Sequence, residues 1–308
     1  VPAVTGPVLR AAVLGHPVGH SLSPVLHAAA HETLGLRAEY TRRDVTEREW
    51  GAFWSAARAS GGWSGFSVTM PLKPLAARDA DETTPLVRAL GAANTLTRRA
   101  DGSVVAANTD VMGIMSALTV AGQVPGAPSA VVLGGGATAG AAVAALHGLG
   151  APAVDVVVRS PERARSLHRV ADAVGTTVRV RPWSQAAALL GTADVAVVTL
   201  PPRGADELAE QWDALRPSVG GVLLDVAYDP WPSRIAASWQ RAGGAIAPGV
   251  DMLIFQAVDQ VRWFVNGEPT AALPGEDHVT AAMCRAVQRP ERGVPARVRG
   301  AQAALLAP

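Results

Sequence analysis

Of the 27 basic residues in this sequence of 308, one alone, Lys73, is a lysine; the rest are arginines. A guanidinium replaces an ammonium wherever a plain positive charge is enough, but it stays protonated across the accessible pH range and cannot exchange a proton. A chain that has lost lysine everywhere else and kept it at one position points to a proton-transferring amine there. Asparagine is nearly as scarce, with only Asn94, Asn108 and Asn266. Two of these fall in short polar motifs, Ala93-Asn94-Thr95 and Asn108-Thr109-Asp110. An amine that exchanges a proton can serve as general acid or base wherever charge develops on a reacting oxygen. A carboxylate beside such an amine keeps it charged and oriented while desolvation pulls its pKa down, and Asp110 closes the second of the polar motifs.

A second signature is Gly134-Gly135-Gly136-Ala137-Thr138-Ala139, which follows the apolar strand 130–133 directly and opens an Ala-rich helix. Glycines in a strand-turn-helix context allow a tight turn and close approach of a pyrophosphate, which the helix N-terminus stabilises through its N–H groups and dipole. The next strand decides the nucleotide. An acid at its tip suits the ribose hydroxyl of NAD, whereas arginine suits the 2′-phosphate of NADP. Here the strand ends Val158-Arg159-Ser160, with Arg163 one turn on and no acid at the tip. NADP is the expected cofactor. Ser160 is also expected to cap the helix that Pro161 opens. His27 and His31 share a helix face, but the segment lacks the glutamate of an HExxH zinc motif, so no metal is expected. His16 and His20 read as loop-packing residues, Trp50 and Trp54 as core, and Cys284 as inert in a C-terminal helix.

Elements must carry these residues to one place. The first third alternates strand (8–14), helix (24–34, with Ser23 as N-cap and Pro24 in the first turn), strand (40–45), and helix (46–59, opened by Thr46 and Glu49 at capping-box spacing). Strand 65–69, helix 72–80 and strands 93–97 and 104–108 complete a mixed α/β unit. After Asp110 come a helix (111–121) and five apolar strands at 130–133, 153–158, 178–180, 195–199 and 222–226, separated by Ala-rich helices. Near-continuous apolar strands imply a parallel, doubly wound sheet. The fold class is therefore α/β: a substrate-binding domain of residues 1–109 and 249–308, and a Rossmann-type NADP-binding domain of 110–248. The helix 252–266 returns the chain to the first domain, and the Pro/Gly/Arg-rich tail from about 289 is expected to be loosely ordered.

Composition narrows the partners. A net charge of +1 leaves no global field for nucleic acid or anionic lipid. No apolar run reaches membrane-spanning length, and the hydrophobic content comes mainly from alanine. One cysteine excludes an internal disulfide and, with no export leader in evidence, suggests the cytoplasm. Small molecules are the expected partners, and oligomeric state is left open.

Between about 11 and 266 the motifs run in a fixed order: Gly15-x-Pro17 leading into Ser21 and Ser23, Val68-Thr69-Met70-Pro71-x-Lys73, the Ala-Asn-Thr and Asn-Thr-Asp motifs, the glycine turn, Tyr228-Asp229-Pro230-Trp231-Pro232, and Gly249-x-x-Met252-Leu253-x-x-Gln256. In these motifs and their order the sequence resembles shikimate dehydrogenases of actinobacterial type. The resemblance implies that Lys73 and Asp110 flank the reacting hydroxyl, that Ser21, Ser23 and Tyr228 hold the substrate carboxylate, and that Thr69, Asn94 and Gln256 bind ring hydroxyls. Met252 would line the seam between substrate and nicotinamide, with Thr199 and Gly249 also on the cofactor side. The activity implied is NADP-dependent reduction of 3-dehydroshikimate in chorismate and aromatic amino acid biosynthesis. The alternatives are a quinate or aminoshikimate dehydrogenase, or a non-catalytic nucleotide-sensing module. The sequence departs from the common pattern at Ser67 (often Asn), Val111 (often Gly), Val158 (often Asn) and Val198-Thr199-Leu200-Pro201 (often Asn-Ala-Thr). Ser67 bears most on the hydroxyl pocket.

Overall fold

A computed structural model describes residues 8–295 and 298, so the tail beyond 295, save 298, lies outside the described residues. The chain divides into two compact units: one runs to Thr109 and resumes at Ile254–Val294, the other spans Asp110–Leu253. Each is described by itself.

The first unit comprises β1 (Leu9–Gly15), α1 (Ser23–Thr33), β2 (Ala38–Asp44), α2 (Trp50–Ser60), β3 (Gly65–Val68), α3 (Lys73–Asp79), β4 (Glu82–Thr83), α4 (Pro85–Leu90), β5 (Thr95–Arg98) and β6 (Val104–Ala107). They form one sheet in the order β2-β1-β3-β5-β6-β4, with β5 antiparallel to both its neighbours. On one face Leu14, Phe66, Leu96, Val104 and Ala106 pack against Trp50 and Trp54, whose rings stack 5.4 Å apart. Alternate residues of β6, Val105 and Ala107, point the other way onto Trp263. The tryptophans of α2 are thus core, as their spacing predicts.

The second unit comprises α5 (Asp110–Ala121), β7 (Ala130–Leu133), α6 (Ala137–Gly148), β8 (Ala153–Val158), α7 (Arg165–Val174), β9 (Thr177–Pro182), α8 (Ala186–Leu190), β10 (Val195–Val198), α9 (Asp206–Ala214), β11 (Val222–Asp225), α10 (Arg234–Arg241) and β12 (Ala245–Pro248). Its sheet is parallel in the order β12-β11-β10-β7-β8-β9. The chain starts in the middle, winds out to one edge, then crosses back and winds out to the other, which is the dinucleotide-binding topology. Helix α11 (Gly249–Asn266) starts in this unit and ends in the first, where α12 (Glu276–Ala286) follows. Buried Arg262 on α11 grips Glu276 of α12 at 2.6 and 2.7 Å, locking the two helices. No helix among the described residues is long and apolar enough to cross a membrane.

Two local expectations need correction. Ser23 is not an N-cap: α1 starts at Ser23 itself, Leu22 occupies the cap position, and no side chain caps the end. The Ser23 hydroxyl instead accepts a hydrogen bond from Ser21 at 3.2 Å. At α2 the capping-box bonds do form, Thr46 N donating to Glu49 at 3.0 Å and Glu49 N to Thr46 Oγ1 at 3.3 Å. They close a separate turn, and regular helix begins only at Trp50.

Candidate active site

In the first unit β1 and β3 are parallel, β5 runs against β3, and β6 against β5. The ends of β1, β3 and β6 and the start of β5 therefore lie along one edge of the sheet, and every polar motif singled out in this unit sits there. Glycine is required at Gly15, since a Cβ would come within 2.3 Å of Thr69 Cγ2 and 2.8 Å of the Met70 carbonyl. That close approach is sealed by Thr69 N donating to Leu14 O at 2.8 Å and His16 N to Met70 O at 3.0 Å. Lys73 opens α3, half-buried, and its carbonyl accepts from Ala93 N at 2.9 Å, so the lysine and Asn94 segments are tied directly. Ser21 is held from behind, its carbonyl accepting two bonds from the Arg42 guanidinium at 2.6 and 3.0 Å.

Asn94, 2% exposed, is the hub. Its Oδ1 accepts from Thr109 N and from Thr95 Oγ1, both at 2.8 Å. Its Nδ2 donates to Thr109 Oγ1 at 2.9 Å and to Gln256 Oε1 at 3.3 Å. Three separated segments thus form one buried hydrogen-bonded cluster, and Asp110 is the next residue after Thr109. Asp110 is buried and opens α5.

Behind this cluster lie Ser67 and His27 together with two groups that sequence reasoning missed, Tyr40 and Gln260. Tyr40 donates to Ser67 at 2.6 Å, Ser67 donates to Gln260 Oε1 at 2.6 Å, and Gln260 Nε2 reaches the Asn94 carbonyl at 3.0 Å. His27 stacks on Tyr40 at 4.0 Å and meets Gln260 at 3.3 Å. Burial holds His27 neutral, well below its ordinary pKa, with His31 adding to the effect, and burial brings His31 down to about 4. The Tyr40 phenol is pushed up by burial. The one available signal was that Gln260 stands one helical turn after Gln256, on the same face of α11. Nothing local marks Tyr40.

In the second unit Gly134 has φ +123°, and a Cβ there would lie 2.3 Å from Thr199 Oγ1. Thr199 holds the turn, its N and Oγ1 both donating to Leu133 O at 2.9 and 3.0 Å. Gly136 caps α6 without a side chain, and a Cβ added to it would meet nothing within 4 Å. A helix N-terminus with uncapped N–H groups under open space suits a pyrophosphate. Arg159, exposed at the tip of β8, donates to Gly204 O at 2.9 Å, and its guanidinium lies 4.9 Å over the Trp183 ring. This leaves a planar cation presented where a 2′-phosphate belongs, so the residues present fit NADP. Ser160 makes no capping bond, contrary to expectation; its hydroxyl bonds Glu162, lowering that carboxyl's pKa. The Arg163 side chain lies outside the described residues. Tyr228 follows β11, where the Asp225 carboxylate accepts from Ala227 N at 3.1 Å. Gly249 starts α11 with the Val226 carbonyl 2.4 Å from where a Cβ would sit, and Met252 is buried one turn later.

The first unit thus brings Ser21, Ser23, Thr69, Lys73, Asn94 and Gln256 to its polar edge, while Tyr228, Gly249, Met252 and the nucleotide turn belong to the second. A dinucleotide fold with that turn, joined in one chain to a mixed-sheet unit with a buried amide and hydroxyl cluster, defines a two-unit nucleotide-dependent oxidoreductase. The shikimate dehydrogenase substrate binding domain matches residues 13–96, and the alanine dehydrogenase/PNT C-terminal domain matches 102–247. A shikimate dehydrogenase (NADP(+)) from Rubrobacter xylanophilus is 35% identical over 284 residues, covering 90% of this chain and 99% of the relative. The crystal structure of Mycobacterium tuberculosis shikimate dehydrogenase is 37% identical with a TM-score of 0.76, covering 90% of this chain and 99% of that one. A Thermus thermophilus shikimate 5-dehydrogenase, solved in complex with NADP(H) and shikimate, is 31% identical with a TM-score of 0.74 over the same shares. The chain belongs to the shikimate dehydrogenase family.

Proposed function

We propose that the chain is an NADP-dependent shikimate dehydrogenase that interconverts 3-dehydroshikimate and shikimate, serving chorismate and aromatic amino acid biosynthesis in the cytoplasm. The observation that carries the reading is the buried Asn94, Thr109 and Gln256 cluster, one peptide bond from Asp110 and tied through Ala93 to Lys73. In this reading residues 1–109 and 249–308 form the substrate-binding domain and 110–248 the dinucleotide-binding domain.

Ser21, Ser23 and Tyr228 hold the substrate carboxylate, and Thr69, Asn94 and Gln256 take the ring hydroxyls. Lys73 Nζ accepts the hydroxyl proton during oxidation and returns it during reduction, with Asp110 orienting the amine. NADP, when bound, supplies the hydride acceptor or donor. The backbone of Gly134, Gly135, Gly136, Ala137, Thr138 and Ala139 cradles its pyrophosphate, and Arg159, Ser160 and Arg163 meet the 2′-phosphate. Thr199, Gly249 and Met252 support the nicotinamide end.

A panel of shikimate, quinate and aminoshikimate, each with NADP and NAD, tests this. Shikimate with NADP is expected to give the highest kcat/KM. Preference for quinate or aminoshikimate would move the substrate assignment, and no turnover with any pair would leave a nucleotide-sensing module.

A further inference from the structure

The polar groups behind Asn94 form a chain whose direction is forced at one point. The Asn94 backbone carbonyl can only accept, so the side-chain nitrogen of Gln260 must face it, as it does at 3.0 Å. Gln260 Oε1 then faces the other way, toward donors: Ser67 Oγ at 2.6 Å and His27 Nε2 at 3.3 Å. With the Ser67 proton committed to Gln260, Tyr40 must donate to Ser67. On the near side Gln260 Nε2 also donates to Thr95 Oγ1 at 3.2 Å, which commits the Thr95 proton to Asn94 Oδ1 at 2.8 Å. The Thr109 N–H arrives at the same oxygen. Asn94 therefore turns its Nδ2 toward Thr109 Oγ1 and Gln256 Oε1. Because the oxygen of Gln256 is drawn to Asn94 and Thr109, its nitrogen points away from them. Gln260, Ser67 and Thr95 are all at least 95% buried, so water does not compete.

We propose that Gln260 is a positioning residue that, with Thr95, Ser67 and Tyr40, fixes the orientation of the Asn94 amide and, through it, which end of the Gln256 amide meets the substrate ring. On the ring side this presents the Gln256 amide nitrogen, both Asn94 Nδ2 protons being committed to Thr109 Oγ1 and Gln256 Oε1. The inference rests on the shikimate dehydrogenase reading for its substrate but on the hydrogen-bond directions for its mechanism. It also gives Ser67 a role unlike that of a pocket residue: its hydroxyl proton is spent on Gln260, so the serine transmits orientation.

The test uses the full chain labelled with 15N at asparagine. Only three asparagines are present, so three side-chain NH2 pairs appear, and the Asn94 pair is identified by its loss in Asn94→Asp. Thr95→Val keeps the shape and removes the hydroxyl; Gln260→Met removes the amide at similar length. Each is expected to shift the Asn94 pair and speed its hydrogen exchange while leaving Asn266 unmoved. Each should also raise the KM for shikimate about tenfold, with the KM for NADP held within about twofold. Thr95→Ser, which restores the hydroxyl, should bring both readouts back toward wild type. An Asn94 pair unchanged in Thr95→Val overturns the proposal, as does a rise in both KM values that follows lost thermal stability. Should Gln260→Met not fold, the Thr95 pair decides. A wild-type chain inactive on shikimate would sink the functional reading alone, because the asparagine spectrum still judges the relay.

Discussion

The polar edge of the first unit and the nucleotide turn of the second solve opposite problems. At the polar edge the working atoms belong to buried side chains, Asn94, Thr95, Gln256 and Gln260, each of which orients the next. At the turn the working atoms belong to the backbone: Gly134 in a conformation closed to other residues, an uncapped helix end, and one exposed guanidinium. The first arrangement specifies a ligand through residue identity, and losses within it should be coupled. The second specifies a ligand through shape and charge, and its side chains should act nearly independently.

The largest expected effect falls on the first region. Lys73→Ala should lower kcat by about 100- to 10,000-fold, the usual value of general acid–base catalysis. NADP binding, measured by fluorescence titration, should not change. Lys73→Arg keeps the charge and most of the reach but cannot exchange a proton near neutral pH. It should fold normally and be nearly as slow as the alanine variant. An arginine variant with near-full turnover would break the contrast, since the lysine would then be a structural cation like any other.

Acid should also separate the two regions. His31 is buried, its pKa brought down to about 4, and its Nε2 has no hydrogen-bonding partner among the described residues. The unfolded chain takes up this proton near pH 6.5 and the folded chain does not, so the stability contributed is whole above 6.5 and is lost as pH falls toward about 4. The full span is worth about 3 kcal/mol, and His27 acts in the same direction. In the second unit the Asp225 carboxyl is raised by burial, so the folded state holds its proton more tightly and acid relieves a penalty there. Tm measured from pH 7 to 4.5 should therefore fall, and His31→Leu should flatten the fall. An unchanged slope would remove the histidines from the account.

Arg159→Asp gauges the second region. Losing a charge-assisted phosphate contact and gaining repulsion should raise the KM for NADP about 10- to 100-fold. The KM for NAD should change far less. Equal losses would show that the arginine supports the turn and does not read the 2′-phosphate.

The two regions also differed in how far the sequence revealed them. The nucleotide turn was legible because its parts are contiguous: an apolar strand, glycines and a helix, with the arginine at the next strand's tip. Composition singled out Lys73, and scarcity of type singled out Asn94. The relay was not, because its bonds join residues as far apart as Ser67 and Gln260, and only the sheet order brings β2, β3 and β5 beside α11. Ser23 was misread as a cap because local propensity favours that role, whereas in the fold its hydroxyl is engaged by Ser21. Trp183 escaped notice for a similar reason: it follows β9, whereas the arginine it supports follows β8.

That tryptophan gives the smallest effect and the finest test of the comparison. The Arg159 guanidinium has two anchors, the Gly204 carbonyl at one nitrogen and the Trp183 ring beneath its plane. Both lie outside the glycine turn proposed to cradle the pyrophosphate, so removing one should loosen the cation and leave the cradle intact. Trp183→Ala should raise the KM for NADP by about two- to fivefold, the worth of a partly exposed cation–π contact. Trp183→Phe, which keeps a weaker aromatic face, should fall between the alanine variant and wild type. The KM for NAD should stay put in both, because no 2′-phosphate draws on the arginine. Combined with Arg159→Asp, Trp183→Ala should add nothing further, since the cation it supports is gone. A tryptophan variant that weakens NAD and NADP alike would mean that this side of the second unit is coupled like the polar edge of the first, and the distinction between the two regions would fail there.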